Sequence, residues 1–244
     1  MNIADLEGKI VQADCLDIMR QLPDKCVDLV LTDPPYGIGA DRNLRADTQH
    51  GRAMAPSRNY GVGNWDHRIP DAAYFEALVR VGRNCIVWGG NYFTAHLEPS
   101  SAWLVWDKVT GDNGYADCEL AWTSFGSAVR YFRWQWKGML QEQMGSLKED
   151  RHHPTQKPVP LFKWCLEKYS KPGDLILDPF AGSGTTALAA HALDRRFVCI
   201  EREAEYCEVA RNRLRDAQMQ TDLFLDSAKQ DPETAQTSLT LGGA

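Results

Sequence analysis

Val27-Asp28-Leu29-Val30-Leu31-Thr32-Asp33-Pro34-Pro35-Tyr36 is the stretch that decides the fold. Its first six residues are mostly apolar and β-branched and too few for a stable helix, so they read as a buried strand. Two prolines stop it, because neither can donate to a ladder. In open α/β sheets the C-terminal ends of the strands are where ligands bind. At that end Asp33 supplies a carboxylate, the Asp-Pro unit a carbonyl with no N–H beside it, and Tyr36 a ring. The carboxylate and carbonyl together can accept both hydrogens of one amino group, and the ring can stack on the flat ring that carries it. Taken alone, these four residues also fit a proline-stopped strand end with no chemistry.

Working outward, Gly8–Ala13 reads as a short strand that ends at Asp14-Cys15, and Leu16–Leu22 as a helical turn broken by Pro23-Asp24. Asp71 caps a helix running to Val81, with Tyr74, Phe75, Leu78 and Val79 on one face. Cys85–Trp88 and Trp103–Trp106 are further strands. Glu119–Ser124 and Val129–Trp136 alternate as a hairpin would, with Gly126 in the turn. Trp134 and Trp136 fall on one face there, which suits sheet packing better than base stacking. Downstream come a helix (Leu161–Tyr169), a strand (Asp174–Leu177), a small-residue helix (Ala187–Leu193), a strand (Arg196–Ile200) and a last helix (Ala204–Leu214). The pattern is α/β, a doubly wound Rossmann-like sheet. A single domain is expected over residues 1–215. Residues 41–68 form a long loop with five arginines, either a lid or a disordered segment. Residues 137–151 are polar and irregular, the one sizeable stretch outside the alternating pattern. Residues 216–244, acidic and rich in Gln, Ser and Thr, read as a disordered tail.

Composition narrows the classes. The 244 residues are 43% hydrophobic and 25% charged, ordinary globular values for a chain with enough length to bury a core. A net charge of −6 argues against binding nucleic acid by charge alone. Charge is uneven, however: between Arg130 and Lys157 six basic residues face three acidic ones, and from Asp216 onward five acidic residues accompany one lysine. A basic patch on an acidic protein fits that distribution. Seven cysteines without a C-x-x-C pair point to reduced thiols, and no metal-ligand spacing is present, His152-His153 included. With no signal peptide in Met1–Ile10 and no membrane-length apolar run, a soluble cytoplasmic protein is expected.

The second informative stretch is Asp178-Pro179-Phe180-Ala181-Gly182-Ser183-Gly184-Thr185-Thr186, between a strand and a helix. Glu201 closes the following strand 21 residues after Phe180, near the spacing of a ribose-binding carboxylate. Gly182 and Gly184 let the backbone approach a ligand, and the N–H groups opening the next helix suit an anion. The third position of a dinucleotide fingerprint is Ala187 rather than glycine, and a phosphate-loop lysine is absent. A ligand with a ribose and only a carboxylate for an anion suits the loop, and S-adenosylmethionine is such a ligand.

Asp33-Pro34-Pro35-Tyr36 and Asp178–Thr186, with His153-Pro154-Thr155-Gln156-Lys157-Pro158 ahead of the latter, resemble the amino-group DNA methyltransferases. The order, catalytic motif before cofactor motif, resembles their β class, and the likeness covers about residues 8 to 214. It implies that Asp33, Pro34, Pro35 and Tyr36 are catalytic. It implies that Asp178, Phe180, Ala181, Gly182, Ser183, Gly184 and Thr185 form the loop around S-adenosylmethionine. Glu201 would hold the ribose, Asp14 and Cys15 would meet the adenine, and His153, Thr155 and Lys157 would lie near the methionine end, with Asp33 also bordering the cofactor.

The resemblance further implies double-stranded DNA as partner, a bacterial or phage origin, base flipping, and direct in-line transfer to an amine. Attack on cytosine C5 needs a cysteine after proline, and no Pro-Cys occurs. Asp at position 33, rather than Ser, favours adenine N6 over cytosine N4. Target recognition would fall to residues 137–151, aided by 41–68. Both are short, which fits a short target, relaxed specificity or a homodimer sharing the grip. Competing readings are a cytosine-N4 enzyme, a transferase acting on RNA or a protein amide, a catalytically silent DNA-binding relative, and a dinucleotide oxidoreductase.

Overall fold

Leu29 to Thr32 are fully or almost fully buried at the centre of an eight-stranded sheet. The computed structural model describes residues 1–39, 66, 68–110, 116–137, 140–145, 148–152 and 155–230. The strands are β1 (Lys9–Gln12), β2 (Val27–Thr32), β3 (Gly82–Trp88), β4 (Trp103–Asp107), β5 (Cys118–Thr123), β6 (Arg130–Arg133), β9 (Leu175–Asp178) and β10 (Arg196–Glu201), with a separate ribbon of β7 (Trp136–Lys137) and β8 (Leu140–Gln141). The sheet order is β1-β10-β9-β2-β3-β5-β4-β6. The five strands from β1 to β3 in that order are mutually parallel, whereas β5 runs antiparallel to both of its neighbours.

Residue alternation along the central strands feeds two helix layers. Leu29, Leu31, Ile176 and Cys199 face α3 (Val159–Tyr169), α4 (Thr185–Ala192) and α5 (Ala204–Gln230), where Leu161, Leu166, Ala187 and Ala210 complete the cluster. Val30, Val87, Leu177 and Ile200 face α1 (Cys15–Gln21) and α2 (Ala72–Val81), packing on Met19, Leu78 and Val81. Each fully buried Leu or Val side chain contributes about 1.5–3 kcal/mol relative to exposure. The sheet is therefore held from both sides, as a doubly wound architecture requires.

The chain winds away from the centre in two directions: β2 to β3 on one side, β9 to β10 on the other. The reversal falls between β2 and β9, registered by Leu29 with Ile176 and Val30 with Leu177. Both strands end there in an Asp-Pro, Asp33-Pro34 and Asp178-Pro179. A crevice at such a reversal is where open α/β sheets bind ligands.

Three expectations need correction. Glu119–Ser124 and Val129–Trp136 do not form a hairpin, because β4 pairs with β5 on one side and with β6 on the other. Alternation in the sequence assigns faces but not partners: β5 is buried along its second half and β6 is mostly exposed, and each pairs with β4 rather than with the other. Trp136 leaves the sheet for the β7–β8 ribbon, is buried, and donates from Nε1 to the Gln156 carbonyl at 3.1 Å, so its role is packing. The last helix runs to Gln230, so residues 216–230 are helical rather than a disordered tail. No Gly or Pro interrupts the chain from 204 to 231, and the Ala, Gln, Met and Leu content favours helix. The remaining residues, 231–244, lie outside the described ones, as do most of the expected 41–68 loop. On α2 the buried stripe is Tyr74, Phe75, Ala77, Leu78 and Val81, with Val79 exposed.

Candidate active site at the sheet reversal

Asp33 follows β2, and both of its carboxylate oxygens are engaged. The Tyr36 hydroxyl donates to Oδ1 at 2.6 Å, and the Lys157 ammonium donates to Oδ2 at 2.6 Å. Lys157 also lies 3.1 Å from Tyr36 Oη and 3.1 Å from Glu119 Oε2, so each of its three N–H donors has a partner. Lys108 reaches the other oxygen of Glu119 at 3.2 Å. The side chains of Lys157, Asp33 and Glu119 are 5%, 17% and 21% exposed, so this is a largely buried network of two carboxylates and two ammonium groups.

Burial sets the electrostatics. Burial pushes the Asp33 carboxyl above its usual range; Lys157 opposes that shift and Glu119 adds to it. Burial also works against the Lys157 charge, but Asp33 and Glu119 outweigh it and hold the ammonium protonated. Glu119 is desolvated too, yet Lys157 and Lys108 keep it below the usual carboxylate range. The network is charge-balanced, and removing any single member leaves it with one uncompensated charge.

Tyr36 is positioned by its surroundings. Its ring stacks on Tyr92 with centroids 5.0 Å apart, meets Phe93 edge-on at 6.1 Å, and carries Lys157 Nζ 5.2 Å from its centre. Gly89, after β3, has φ +70°, and a Cβ there would come within 2.1 Å of Tyr36 Cε1. Only glycine fits between that turn and the ring. Pro34 is buried and Pro35 half-buried beneath this corner.

The glycine-rich loop lies across the reversal. Glu201 Oε2 accepts the Gly182 N–H at 2.8 Å, and its Oε1 accepts the Glu203 N–H at 2.8 Å. Burial raises the Glu201 carboxyl. Asp178, almost fully buried, accepts the Phe180 N–H at 3.1 Å and the Thr186 hydroxyl; burial raises its carboxyl to about 7. The Phe180 ring packs edge-on against Tyr74, and Ala181 N–H donates to the Ile200 carbonyl. Asp14 caps α1 by accepting the Leu16 N–H at 2.9 Å, beside the paired ends of β1 and β10, where Gln12 is in register with Glu201. The Cys15 thiol, part-buried next to it, is pushed up to about 12 by burial.

A cleft of about 380 Å³, counted to its open mouth, lies between the Asp33–Lys157 pair and the Phe180-Ala181-Gly182 loop, with Thr155 and Thr185 also on its wall. Gly182 has φ +50°, and a Cβ there would meet nothing within 4 Å, so its backbone faces open space. A ribose and a charged amino acid fit this set: a part-buried carboxylate at Glu201, open space at the Gly182 backbone, and both charges at Asp33 and Lys157.

Of the expected residues, Asp33, Thr155, Lys157, Asp178, Phe180, Ala181, Gly182, Ser183 and Thr185 line one cleft; Tyr36 adjoins it through Asp33 and Glu201 through Gly182, whereas Pro34, Pro35, Gly184, Asp14 and Cys15 are not part of its lining. His153 lies outside the described residues. Sequence reading missed Glu119 and Lys108, which belong to no motif, and Tyr92. It also missed Gln156, whose buried amide ties the segment before α3 to the loop: Oε1 accepts the His152 N–H at 2.8 Å and the Ser183 hydroxyl at 3.2 Å, and Nε2 donates to Glu149 at 2.8 Å. Arg213 of α5 joins the same knot through Ser183 and Glu149. Among the described residues, no group of three or more His, Cys, Asp or Glu is placed to hold a metal ion, and no helix is long and apolar enough to cross a membrane.

Comparison with known proteins agrees with this geometry. Residues 98–212 match the N6/N4 methyltransferase family model, described as DNA methylase. The chain is 29% identical over 218 residues to the Escherichia coli (strain K12) protein named "Putative methylase YubD", covering 85% of this chain and 90% of that one. It is 25% identical over 244 residues to the type II methyltransferase M2.MboI of Moraxella bovis, covering 86% and 88%. Among solved structures, TTHA0409 of Thermus thermophilus in complex with S-adenosyl-L-methionine shares the fold, with a TM-score of 0.52 at 16% identity over 86% of this chain and 95% of that one.

Proposed function

We propose that this chain, which belongs to the N6/N4 DNA methylase family, uses S-adenosylmethionine to methylate the exocyclic N6 amine of adenine in DNA. The observation that carries the reading is that Asp33 and Gly182, whose N–H is held by Glu201, line the same cleft at the sheet reversal. The structure of Thermus thermophilus TTHA0409 with S-adenosyl-L-methionine bound supports the choice of cofactor. In this chain Glu201 would take the ribose hydroxyls, Asp14 and Cys15 the adenine end, Phe180 to Thr185 the middle, and Thr155 and Lys157 the methionine end.

When bound, the cofactor supplies a methyl group on a sulfonium, an electrophile that needs no further activation. The protein's task is then position and electrostatics. An exocyclic amine is a weak nucleophile because its lone pair is conjugated into the base. Asp33 and the Asp33 or Pro34 carbonyl would hold its two hydrogens, turning the nitrogen towards sp³ geometry and aiming its lone pair into the cleft. As the nitrogen takes the methyl, its surplus proton passes to the Asp33 carboxylate, whose affinity for protons is raised by burial. Tyr36 and the half-exposed Tyr92 would supply the aromatic surface that offsets unstacking of a flipped base.

Aspartate rather than serine at position 33 supports adenine over cytosine. The β7–β8 ribbon and residues 137–151 would contact the target sequence, and a homodimer would extend that short grip. The reading is tested with Asp33→Ala. It should lose detectable methyl transfer while its S-adenosylmethionine affinity stays within about tenfold, or ~1.4 kcal/mol. Turnover like the wild type in that variant would end the assignment of Asp33.

A further inference from the structure

We propose that Glu119, which belongs to no motif of the chain, is a positioning residue for the transfer: it receives the Lys157 ammonium and the Tyr36 hydroxyl when Asp33 lets them go to take the target amine. The inference rests on the function proposed above and deepens it. In the structure both Asp33 oxygens are occupied by donors of the chain itself, at 2.6 Å each. A base amine can bond to Asp33 only as those donors yield. Neither can yield into nothing, since an ammonium 5% exposed and left unpaired is among the costliest groups in a folded protein.

Glu119 is placed to take both. Its Oε2 is already 3.1 Å from Lys157 Nζ and 3.3 Å from Tyr36 Oη. The Tyr36 hydroxyl has one proton and two carboxylates within reach, so turning it from Asp33 to Glu119 needs a rotation and no new partner. Position 119 sits on β5 in register with Trp106 of β4, whose neighbour Asp107 ends that strand before Lys108. Lys108 anchors Glu119 through Oε1 at 3.2 Å and leaves Oε2 directed at Lys157 and Tyr36.

Charge makes the same demand. Methyl transfer moves positive charge from the cofactor towards the amine, next to Lys157. A second anion that balances the ammonium leaves the Asp33 charge free to stabilise the nitrogen. The charged and titratable groups facing Glu119 are Lys157 before α3, Lys108 after β4, and Asp33 and Tyr36 after β2.

The test compares wild type, Glu119→Gln and Glu119→Asp for kcat and KM on unmethylated DNA, for S-adenosylmethionine affinity by calorimetry, and for the pH profile of kcat. In Glu119→Gln the ammonium has only Asp33 to hold. We expect kcat to fall about tenfold or more, cofactor affinity to stay within about threefold, and the acid limb of the profile to move to lower pH as Asp33 binds Lys157 more tightly. Glu119→Asp, which keeps the charge, should recover part of the loss. Wild-type kcat in Glu119→Gln, or a loss with the acid limb unmoved, overturns the proposal. Should Glu119→Gln not melt cooperatively, Glu119→Asp decides alone: a carboxylate one methylene shorter should lower kcat about threefold or more at unchanged cofactor affinity, and unchanged kcat overturns the proposal. A wild-type protein that methylates no base removes both this inference and the function beneath it; an active wild type with an indifferent Glu119 removes this one alone.

Discussion

Lys157→Met removes a buried cation shared by two carboxylates, and its consequence for stability can be worked out from the geometry. At an effective dielectric of about 20, an ion pair at the 2.6 Å of Lys157–Asp33 is worth about 6 kcal/mol before desolvation, and the 3.1 Å pair with Glu119 about 5 kcal/mol. Desolvation offsets much of this, and removing one partner of a buried pair typically costs about 3–5 kcal/mol. Asp33 and Glu119 are 17% and 21% exposed and Glu119 keeps Lys108, so we expect the low end, about 3 kcal/mol. For a chain of this length that is a fall in Tm of roughly 6–12 °C. The deficit should also depend on pH. Without the ammonium, the Asp33 carboxyl, already raised by burial, rises further above its unfolded value. A carboxyl raised by folding stabilises the protein at low pH, and that stability is lost as pH rises through the folded value. The variant should therefore be closest to wild type near pH 5 and furthest from it near pH 8. Urea denaturation of both proteins at the two pH values measures this. A deficit under about 1 kcal/mol at pH 8, or one equal at both pH values, would refute the reasoning.

Three further outcomes follow from the same site. Gly89→Ala forces a Cβ to within 2.1 Å of the Tyr36 ring at φ +70°; the backbone alone costs about 1–2 kcal/mol, and kcat should drop about tenfold or more as the ring is displaced, read by steady-state kinetics beside a thermal melt. Glu201→Gln would replace charged hydrogen bonds to the ribose, each worth about 1.5–3 kcal/mol, with neutral ones, so calorimetry should show S-adenosylmethionine affinity roughly 10–100-fold lower, and an unchanged Kd would remove Glu201 from the cofactor site. Asp178, with its carboxyl raised to about 7, should lower wild-type stability progressively from about pH 4 to pH 7 and no further above that; Asp178→Asn should flatten this slope in urea denaturation series.

Much of this site is legible in the chain because its parts lie at strand ends with strong local signatures. Asp33-Pro34-Pro35-Tyr36 and Asp178–Thr186 each follow an apolar run, and a doubly wound sheet brings two such ends together. Glu201 is found by its spacing from Phe180. Glu119 and Lys108 are not legible in this way. They lie at the mouth of β5 and β4, in stretches whose alternation reads as ordinary sheet, and only the insertion of β5 between β3 and β4 brings them to Lys157. The same strand order explains the failed hairpin: periodicity assigns a face, whereas the neighbour is chosen by the whole sheet. Gln156 lies within a quoted motif, but its part as the tie between Glu149 and Ser183 depends on contacts up to 27 residues away. The extent of α5 escapes a reading that weights polar, acidic composition above the absence of helix breakers.

The central claim is that Asp33 presents an exocyclic adenine amine to a methyl donor. The direct measurement is to incubate the protein with unmethylated double-stranded DNA and S-adenosylmethionine, digest to nucleosides, and identify the product by mass spectrometry, with Asp33→Ala alongside. The account predicts N6-methyladenine from the wild type and none from the variant. N4-methylcytosine would contradict the choice of base while keeping the amine chemistry; 5-methylcytosine, or unmodified nucleosides from several DNAs, would contradict the account itself.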